Sequence, residues 1–243
     1  MISPGERLIV ALDVPSAREA LKIVATLGVS VQTYKVGMQL YTAEGPQMVR
    51  DLVAAGRKVF LDLKYHDIPN TVAAAVREAA QLGVSMLTVH AAGGTKMLHA
   101  AVEAAREKNP DLQILAVTVL TSMDDQDLNE TGVQGPVVDQ VLWLASLAIE
   151  AGCAGVVSSP REVATLRSKL GSDFLIVTPG VRPAGAEHGD QARVATPAEA
   201  IAAGATHIVV GRPITAAANP AEAAENILQE LATQPSELQP QNT

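Results

Sequence analysis

Lys58-Val-Phe-Leu-Asp-Leu-Lys-Tyr65 is a largely apolar run with the length and composition of a buried β-strand. An Ala-rich amphipathic stretch over Thr71–Leu82 follows it and predicts a helix, which Gly83 ends as a C′ glycine does. We find this strand-then-helix unit eight times along the chain. Because near-continuous apolar strands that alternate with helices form parallel sheets covered by helices, the repeat predicts an α/β fold.

The eight units define the predicted elements. The predicted strands are Arg7–Val14, Thr33–Met38, Lys58–Tyr65, Met86–Ala92, Ile114–Thr121, Gly155–Ser159, Phe174–Val181 and His207–Thr215. The predicted helices are Ser16–Leu27, Pro46–Ala55, Thr71–Leu82, Thr95–Lys108, Val137–Ala151, Arg161–Leu170, Pro197–Ala203 and Pro220–Leu231.

Eight units in 243 residues fit a closed (β/α)8 TIM barrel of a single domain. An open doubly wound sheet is the alternative, but it favours a Gly-x-Gly-x-x-Gly turn after the first strand. The residues found there are Asp13-Val-Pro-Ser-Ala-Arg18. We assign residues 1–231 to the barrel and expect the polar residues 232–243 to form a disordered tail.

Composition excludes several classes of function. The net charge of −8 and the 2% of aromatic residues argue against nucleic-acid binding, which needs cations and stacking surfaces. No apolar stretch is long enough for a signal peptide or a membrane span. Cys153 is the only cysteine, and we expect it to be a small buried side chain in a reducing compartment. These features predict a cytoplasmic protein.

Polar residues at the strand ends locate the chemistry, because barrel active sites lie at the carboxyl ends of the strands. Asp62 and Lys64 should point together, since residues i and i+2 of a strand share a face, whereas parity does not place Asp67. An acid, an amine and an acid crowded together suit proton chemistry. The other candidates at strand ends are Asp13, Lys35, His90, Thr121, Ser122, Ser158, Ser159, Arg182, Gly211 and Arg212. No histidine or cysteine pair has metal-ligand spacing, so we predict no metal site.

The seventh and eighth loops have the features of a phosphate site. Barrels often bind phosphate there through backbone amides, and Gly180 and Gly211 permit close approach while Arg212 can hold an anion by two hydrogen bonds. The long polar segment from Arg182 to Gln191 is typical of a lid that closes on a ligand. His66, at a strand-to-helix corner, more often orients neighbours than acts as a base.

These motifs resemble those of the orotidine 5′-phosphate decarboxylases over residues 7–231. Asp62-x-Lys64-x-x-Asp67-Ile-Pro-Asn-Thr71 matches the family's signature, and Thr178-Pro-Gly-Val-Arg-Pro183, Gly189-Asp-Gln191 and Val210-Gly-Arg-Pro213 match its phosphate-side motifs. The resemblance implies a carboxy-lyase that needs no cofactor or metal. It would convert orotidine 5′-monophosphate to UMP and CO2, the last step of de novo pyrimidine synthesis.

The resemblance also implies roles for individual residues. Lys64 would stabilise and protonate the C6 carbanion, with Asp62, Asp67 and Lys35 completing the charged site. Asp67 and Thr71 would reach the partner's site in a homodimer. The remaining substrate contacts would be Asp13 and Lys35 at the ribose, Thr121 and Ser122 at the pyrimidine, and Arg182, Gln191, Gly211 and Arg212 at the phosphate.

Two alternatives share these features. Magnesium-dependent sugar-phosphate decarboxylases and aldolases resemble this barrel, but they place a Glu at the end of the second strand, where this chain has Lys35. An ammonium group cannot ligate Mg²⁺. A non-catalytic barrel that only binds a phosphate ligand is the second alternative, and the intact acid-amine-acid cluster argues against it.

Overall fold

In the computed structural model, which describes residues 2–182 and 195–233, eight parallel strands close into a barrel in chain order. The strands are β1 Leu8–Ala11, β2 Thr33–Gly37, β3 Lys58–Tyr65, β4 Met86–His90, β5 Gln113–Val117, β6 Gly155–Val157, β7 Leu175–Thr178 and β8 His207–Val210. Each strand pairs with the next, and β1 pairs with β8 through Leu8 and Ile208. The predicted single-domain (β/α)8 barrel is confirmed.

Helices cover the outside of the barrel. They are α1 Pro4–Arg7, α2 Ala17–Leu27, α3 Met38–Glu44, α4 Gln47–Ala54, α5 Pro69–Gln81, α6 Gly94–Lys108, α7 Asp125–Glu130, α8 Val137–Glu150, α9 Val163–Leu170, α10 Pro197–Ala202, α11 Arg212–Thr215 and α12 Pro220–Ala232. A 3-10 turn over Ala91–Gly93 precedes α6. All eight predicted helices are present within one or two residues of their predicted ends.

The alternation of side chains along each strand builds two cores. In β1, Leu8 and Val10 point outward and pack under the helices, whereas Ile9 and Ala11 point into the barrel. The inner cluster also contains Phe60, Met86, Leu115, Val177 and Val209. It closes the centre of the barrel, so the interior is packed and any cavity must lie at an end of the strands.

Several predicted strands are too long at their carboxyl ends. The largest error is the eighth, predicted to Thr215, because the strand ends at Val210 and Arg212–Thr215 forms α11. Pro213 explains the difference: it lacks the N–H that an interior strand needs, and it lies in the first turn of a helix, where that N–H has no partner. The strand prediction at Met38 is also wrong, since Met38 already begins α3.

The structure also bears on the predictions about burial. Cys153 is buried, and burial raises the pKa of its thiol to about 12, as expected of an unreactive core residue. None of the helices in the described ranges is long and apolar enough to cross a membrane. Gln191 and the predicted tail beyond residue 233 lie outside the described residues, so predictions about them are not tested.

Candidate active site

A cavity of about 380 Å³ opens at the carboxyl ends of the strands. Its lining comes from strand ends and the loops after them, because parallel strands direct all their carboxyl ends to one side of the barrel. Its lining residues are Ala11, Asp13, Lys35, Phe60, Asp62, Lys64, Val117, Val119, Leu120, Thr121, Val157, Pro179, Gly180, Arg182, Val209, Gly211, Arg212 and Thr215. The cavity is therefore charged on one side and apolar in the centre.

The charged side is a continuous chain of alternating ion pairs, which we call the charged array: Asp13, Lys35, Asp62 and Lys64. Lys35 Nζ lies 2.8 Å from Asp13 Oδ1 and 3.6 Å from Asp62 Oδ2. Lys64 Nζ lies 2.8 Å from Asp62 Oδ1 and 2.9 Å from Oδ2. The predicted convergence of Asp62 and Lys64 is thus present, and Lys35 of β2 joins them from the neighbouring strand.

Asp62 is the carboxylate between the two ammonium groups. Burial on its own would raise its pKa, but the charges of Lys35 and Lys64 and hydrogen bonds from Lys64 and Thr88 outweigh that effect and lower it. Asp62 is therefore ionised at neutral pH despite being mostly buried. An ionised Asp62 can hold both lysine side chains at fixed positions in the cavity.

Residues of the seventh and eighth loops also line the cavity. In an eight-stranded barrel β7 lies across from β3, so Gly180 and Arg182 face the site from the side opposite Asp62 and Lys64. Gly211 and Arg212 follow β8, and Thr121 follows β5. The cavity thus has Gly180 and Arg182 opposite Asp62 and Lys64, whereas Gly211 and Arg212 follow β8, the neighbour of β1.

Four of the residues predicted to contact the substrate or act in catalysis are not part of this lining. Asp67 and Thr71 are exposed, and Asp67 Oδ1 accepts a hydrogen bond of 2.6 Å from the Ile68 amide. Ser122 is exposed next to Thr121, and Gln191 lies outside the described residues. The roles predicted for these four residues stay predictions.

His90 also lies outside the cavity lining. Its ring contacts the ring of His66, with centroids 5.4 Å apart, and burial, His66 and Lys64 lower its pKa while Asp62 raises it. His90 is therefore a neutral neighbour of the array at neutral pH. His66 itself is exposed.

Comparison with known proteins assigns this arrangement to a family. Residues 6–227 match the sequence profile described as "Orotidine 5'-phosphate decarboxylase / HUMPS family". The chain belongs to this family. It is 55% identical over 233 residues to the orotidine 5′-phosphate decarboxylase of Halorhodospira halophila, a match that covers 96% of this chain and 99% of that protein. The orotidine 5′-phosphate decarboxylase of Moorella thermoacetica is 52% identical, and the match covers 93% of this chain and 92% of that protein.

Solved structures agree with the family assignment. The crystal structure of orotidine 5′-phosphate decarboxylase from Lactobacillus acidophilus superposes with a TM-score of 0.83 at 42% identity, covering 92% of this chain and 98% of the other. An uncharacterised conserved protein from Geobacillus kaustophilus gives a TM-score of 0.79 at 38% identity. The fold of the orotidine 5′-phosphate decarboxylase / HUMPS family is therefore shared along nearly the whole chain.

The family motifs did not reveal every residue at this site. Thr88 is fully buried, and its hydroxyl donates to Asp62 Oδ1 over 3.0 Å and accepts from the Lys64 amide over 2.9 Å. One signal was available, because Thr88 is a polar residue within the apolar strand Met86–His90 and shares a face with His90. The apolar wall, including Phe60, Val157 and Val209, could not be distinguished from ordinary core.

Proposed function

We propose that this chain decarboxylates orotidine 5′-monophosphate to UMP and CO2 without a cofactor, as the last step of de novo pyrimidine synthesis. The observation that carries the proposal is the unbroken charged array at the cavity, in a chain more than half identical to orotidine 5′-phosphate decarboxylases. Cys153, the one cysteine of the chain, is consistent with a cytoplasmic location.

Lys64 is the residue we assign to the chemical step. Loss of CO2 from C6 leaves an electron pair in an sp² orbital, with no adjacent carbonyl to delocalise it. A fixed ammonium group in a partly apolar cavity stabilises that charge, and it does so more strongly than it would in water. The same ammonium can then donate a proton to C6. Asp62 holds Lys64 at 2.8 Å, so the cation is in place before the reaction begins.

The seventh and eighth loops at the cavity suit the phosphate of the same substrate. Arg182 and Arg212 supply cations there, and Gly180 and Gly211 allow close backbone approach. We assign Gln191 to the phosphate as well, Asp13 and Lys35 to the ribose hydroxyls, and Thr121 and Ser122 to the pyrimidine edge. Binding energy from a phosphate remote from C6 can then serve to position the reacting group.

Lys35 favours this reaction over the magnesium-dependent reactions of similar barrels. Its ammonium group lies within 2.8 Å of Asp13 and 3.6 Å of Asp62, the two carboxylates that would otherwise be available to a metal ion. A cation already neutralises this position, and it offers no lone pair to Mg²⁺. The charged array thus supports catalysis by side chains alone.

One assay tests the function. Loss of orotidine 5′-monophosphate absorbance is followed with excess chelator, for the wild type and for Lys64→Ala. We expect chelator-resistant turnover by the wild type and a loss of several orders of magnitude in Lys64→Ala. Turnover that the chelator abolishes would support the magnesium-dependent alternative, and an inactive wild type would support the binding-only barrel. Full activity of Lys64→Ala would contradict the assigned mechanism.

We infer further that the working unit is a homodimer in which Asp67 and Thr71 complete the partner's site. Asp67 is exposed here and bound only to its own loop backbone among the described contacts, although it belongs to the same signature as Asp62 and Lys64. Ile68 beside it is 66% exposed and Met38 after β2 is 58% exposed. Large apolar side chains exposed beside a polar site are typical of an interface.

Mixing two inactive variants tests the shared site. In a dimer of Lys64→Ala and Asp67→Ala chains, one site carries both defects and the other carries neither. Random pairing of equal amounts should therefore restore about a quarter of the wild-type activity, since half the dimers are mixed and each has one intact site. Mixing Lys64→Ala with Asp62→Ala is the control, because both residues belong to one chain's site and no intact site can form. Equal recovery in the two mixtures would contradict the shared site.

A further inference from the structure

Thr88 is not a charged residue, but it makes two hydrogen bonds to members of the charged array. It lies in the middle of β4 with no exposed surface, between the apolar residues Leu87 and Val89. Its hydroxyl accepts from the backbone N–H of Lys64 at 2.9 Å and donates to Oδ1 of Asp62 at 3.0 Å. One hydroxyl thus joins the backbone of one array residue to the carboxylate of another.

The backbone of β3 explains why Lys64 needs such a partner. Leu61 pairs with Leu87, but the next pair is Tyr65 with Val89, so β3 has two more residues than β4 between these pairs. This irregularity removes Lys64 from the regular ladder of backbone hydrogen bonds. Thr88 is the β4 residue opposite the irregular segment, and its side chain takes the place of the missing backbone acceptor.

Lys64 also has an unusual backbone conformation. Its φ is +53°, and among the residues that the structure describes it is the only non-glycine residue with positive φ. That conformation is disfavoured for a side chain with a Cβ and persists only where surrounding contacts fix it. The hydrogen bond from the Lys64 amide to Thr88 is such a contact, because it anchors the peptide group whose rotation sets φ.

From these contacts we infer that Thr88 is a positioning residue for the decarboxylation, holding the Lys64 backbone in its left-handed conformation and Asp62 against the Lys64 ammonium group. The inference rests on the proposed function. This positioning role requires a group that can both accept and donate a hydrogen bond at the same point inside the barrel. A hydroxyl does both, whereas a valine of nearly the same shape does neither.

Three variants test the role of Thr88. Thr88→Val removes the hydroxyl and keeps the shape, and Thr88→Ser keeps the hydroxyl. Thr206→Val is the matched control, because the Thr206 hydroxyl likewise accepts from an amide, that of Ile176 at 3.0 Å, and donates to the Ile176 carbonyl at 2.9 Å. Thr206 lies before β8, at the opposite end of the barrel from the cavity.

We expect Thr88→Val to lower kcat by about 10- to 100-fold, the effect of losing a hydrogen bond to a charged group that acts in the transition state. The KM should change by less than about threefold, because the phosphate contacts are untouched. Thr88→Ser should retain kcat within about threefold. Thr206→Val should lose thermal stability to a similar degree as Thr88→Val and keep the wild-type kcat.

The inference is overturned if Thr88→Val has the wild-type kcat, if Thr88→Ser is as slow as Thr88→Val, or if Thr206→Val is equally slow. If Thr88→Val does not yield folded protein, Thr88→Ala replaces it with the same expected kcat and the same contrary outcomes. An inactive wild type would instead overturn the proposed function, so the two failures are distinguishable.

Discussion

Asp62 shows how single residues carry the function. Its carboxylate is mostly buried, yet it interacts with Lys35, Lys64 and Thr88 and keeps a lowered pKa. A buried charge is tolerated when partners satisfy it, and removing one partner leaves the others uncompensated. The array is therefore a unit, in which changes at neighbouring positions act through the same few atoms.

Gly37 provides a test of the array that does not remove any charged group. A Cβ added at Gly37 would lie 2.8 Å from both Asp13 Oδ1 and Lys35 Nζ. Because these atoms are the ends of flexible side chains, they can move aside without disturbing the fold, but the ion pair must shift. We expect Gly37→Ala to raise the KM for orotidine 5′-monophosphate about tenfold, which corresponds to about 1.4 kcal/mol.

The thermal unfolding midpoint of Gly37→Ala should stay close to that of the wild type. Steady-state kinetics and calorimetry on the same preparation check both parts. An unchanged KM with a clearly lower midpoint would mean that the backbone, and not the ion pair, absorbs the added methyl group.

At the level of elements, the strand interiors could be predicted from the sequence, whereas most carboxyl ends of the strands could not. Lys58–Tyr65 was predicted to the residue because its apolar run is long and ends at a proline-containing turn. The irregular pairing of β3 with β4 and the positive φ of Lys64 leave no periodic signal, because they depend on contacts with another strand. Thr88 stands out as a polar residue in an apolar strand, but its role could not be predicted, because it requires that β3 deviate from regular geometry opposite it.

Gly155, unlike Gly37, lies where the backbones of two strands approach closely, so an added methyl group there tests the fold. It pairs with Leu175, and an added Cβ would collide with the Leu175 carbonyl group and Cβ. A backbone carbonyl cannot move aside as a side chain can, so β6 and β7 would have to separate. We expect Gly155→Ala to lower the free energy of unfolding by about 3 kcal/mol, as overpacked core positions do.

Urea unfolding followed by circular dichroism measures this loss. Gly5→Ala is the control, since the nearest atom to an added Cβ there is the Ser30 carbonyl oxygen at 3.7 Å, an ordinary contact. A Gly155→Ala protein as stable as Gly5→Ala would contradict the close approach of the two strands. The fraction that is folded should keep the wild-type KM.

In the whole molecule, the two ends of the barrel carry different groups of charged residues. The carboxyl ends of the strands hold the cavity, whereas the amino ends hold a second group of charged residues around His207, including Glu6, Arg7 and Lys58. The Glu6–Lys58 ion pair spans 3.1 Å there, and His207 is 6% exposed with Nδ1 3.0 Å from the Thr206 hydroxyl. This end contributes to stability rather than to the proposed catalysis.

His207 should make the stability of the molecule depend on pH. Burial and the charges of Arg7 and Lys58 lower its pKa from 6.5 to about 4, although Glu6 acts in the opposite direction. The unfolded chain therefore binds the proton more readily than the folded one between these pH values. Neutral His207 therefore contributes to the free energy of unfolding in full above pH 6.5. This contribution is lost as the pH falls towards 4, which lowers the free energy of unfolding by about 3 kcal/mol.

Unfolding free energies measured from pH 7 to pH 4.5 check this expectation. His207→Gln, which cannot be protonated, should show a flatter pH dependence over that window than the wild type. The lowered pKa of Glu6, about 2, acts at lower pH and does not obscure the comparison. Parallel curves for the two proteins would contradict the assignment.

The pairing of β1 with β8 determines how long β1 has an unpaired edge during synthesis. Leu8 pairs with Ile208, 200 residues later in the chain, so β1 lacks one neighbour until β8 has been synthesised. At ordinary rates of translation that interval is roughly 10 to 40 seconds. All four residues of β1 are buried in the finished barrel, and an unpaired apolar strand is prone to pair with other chains.

A chain that ends at Ala205, before β8, should therefore aggregate on refolding under conditions where the full chain does not, and light scattering measures the difference. Equal behaviour of the two chains would mean that β1 is protected without its last neighbour. Of the eight strands, β1 therefore has an unpaired edge for the longest time during synthesis.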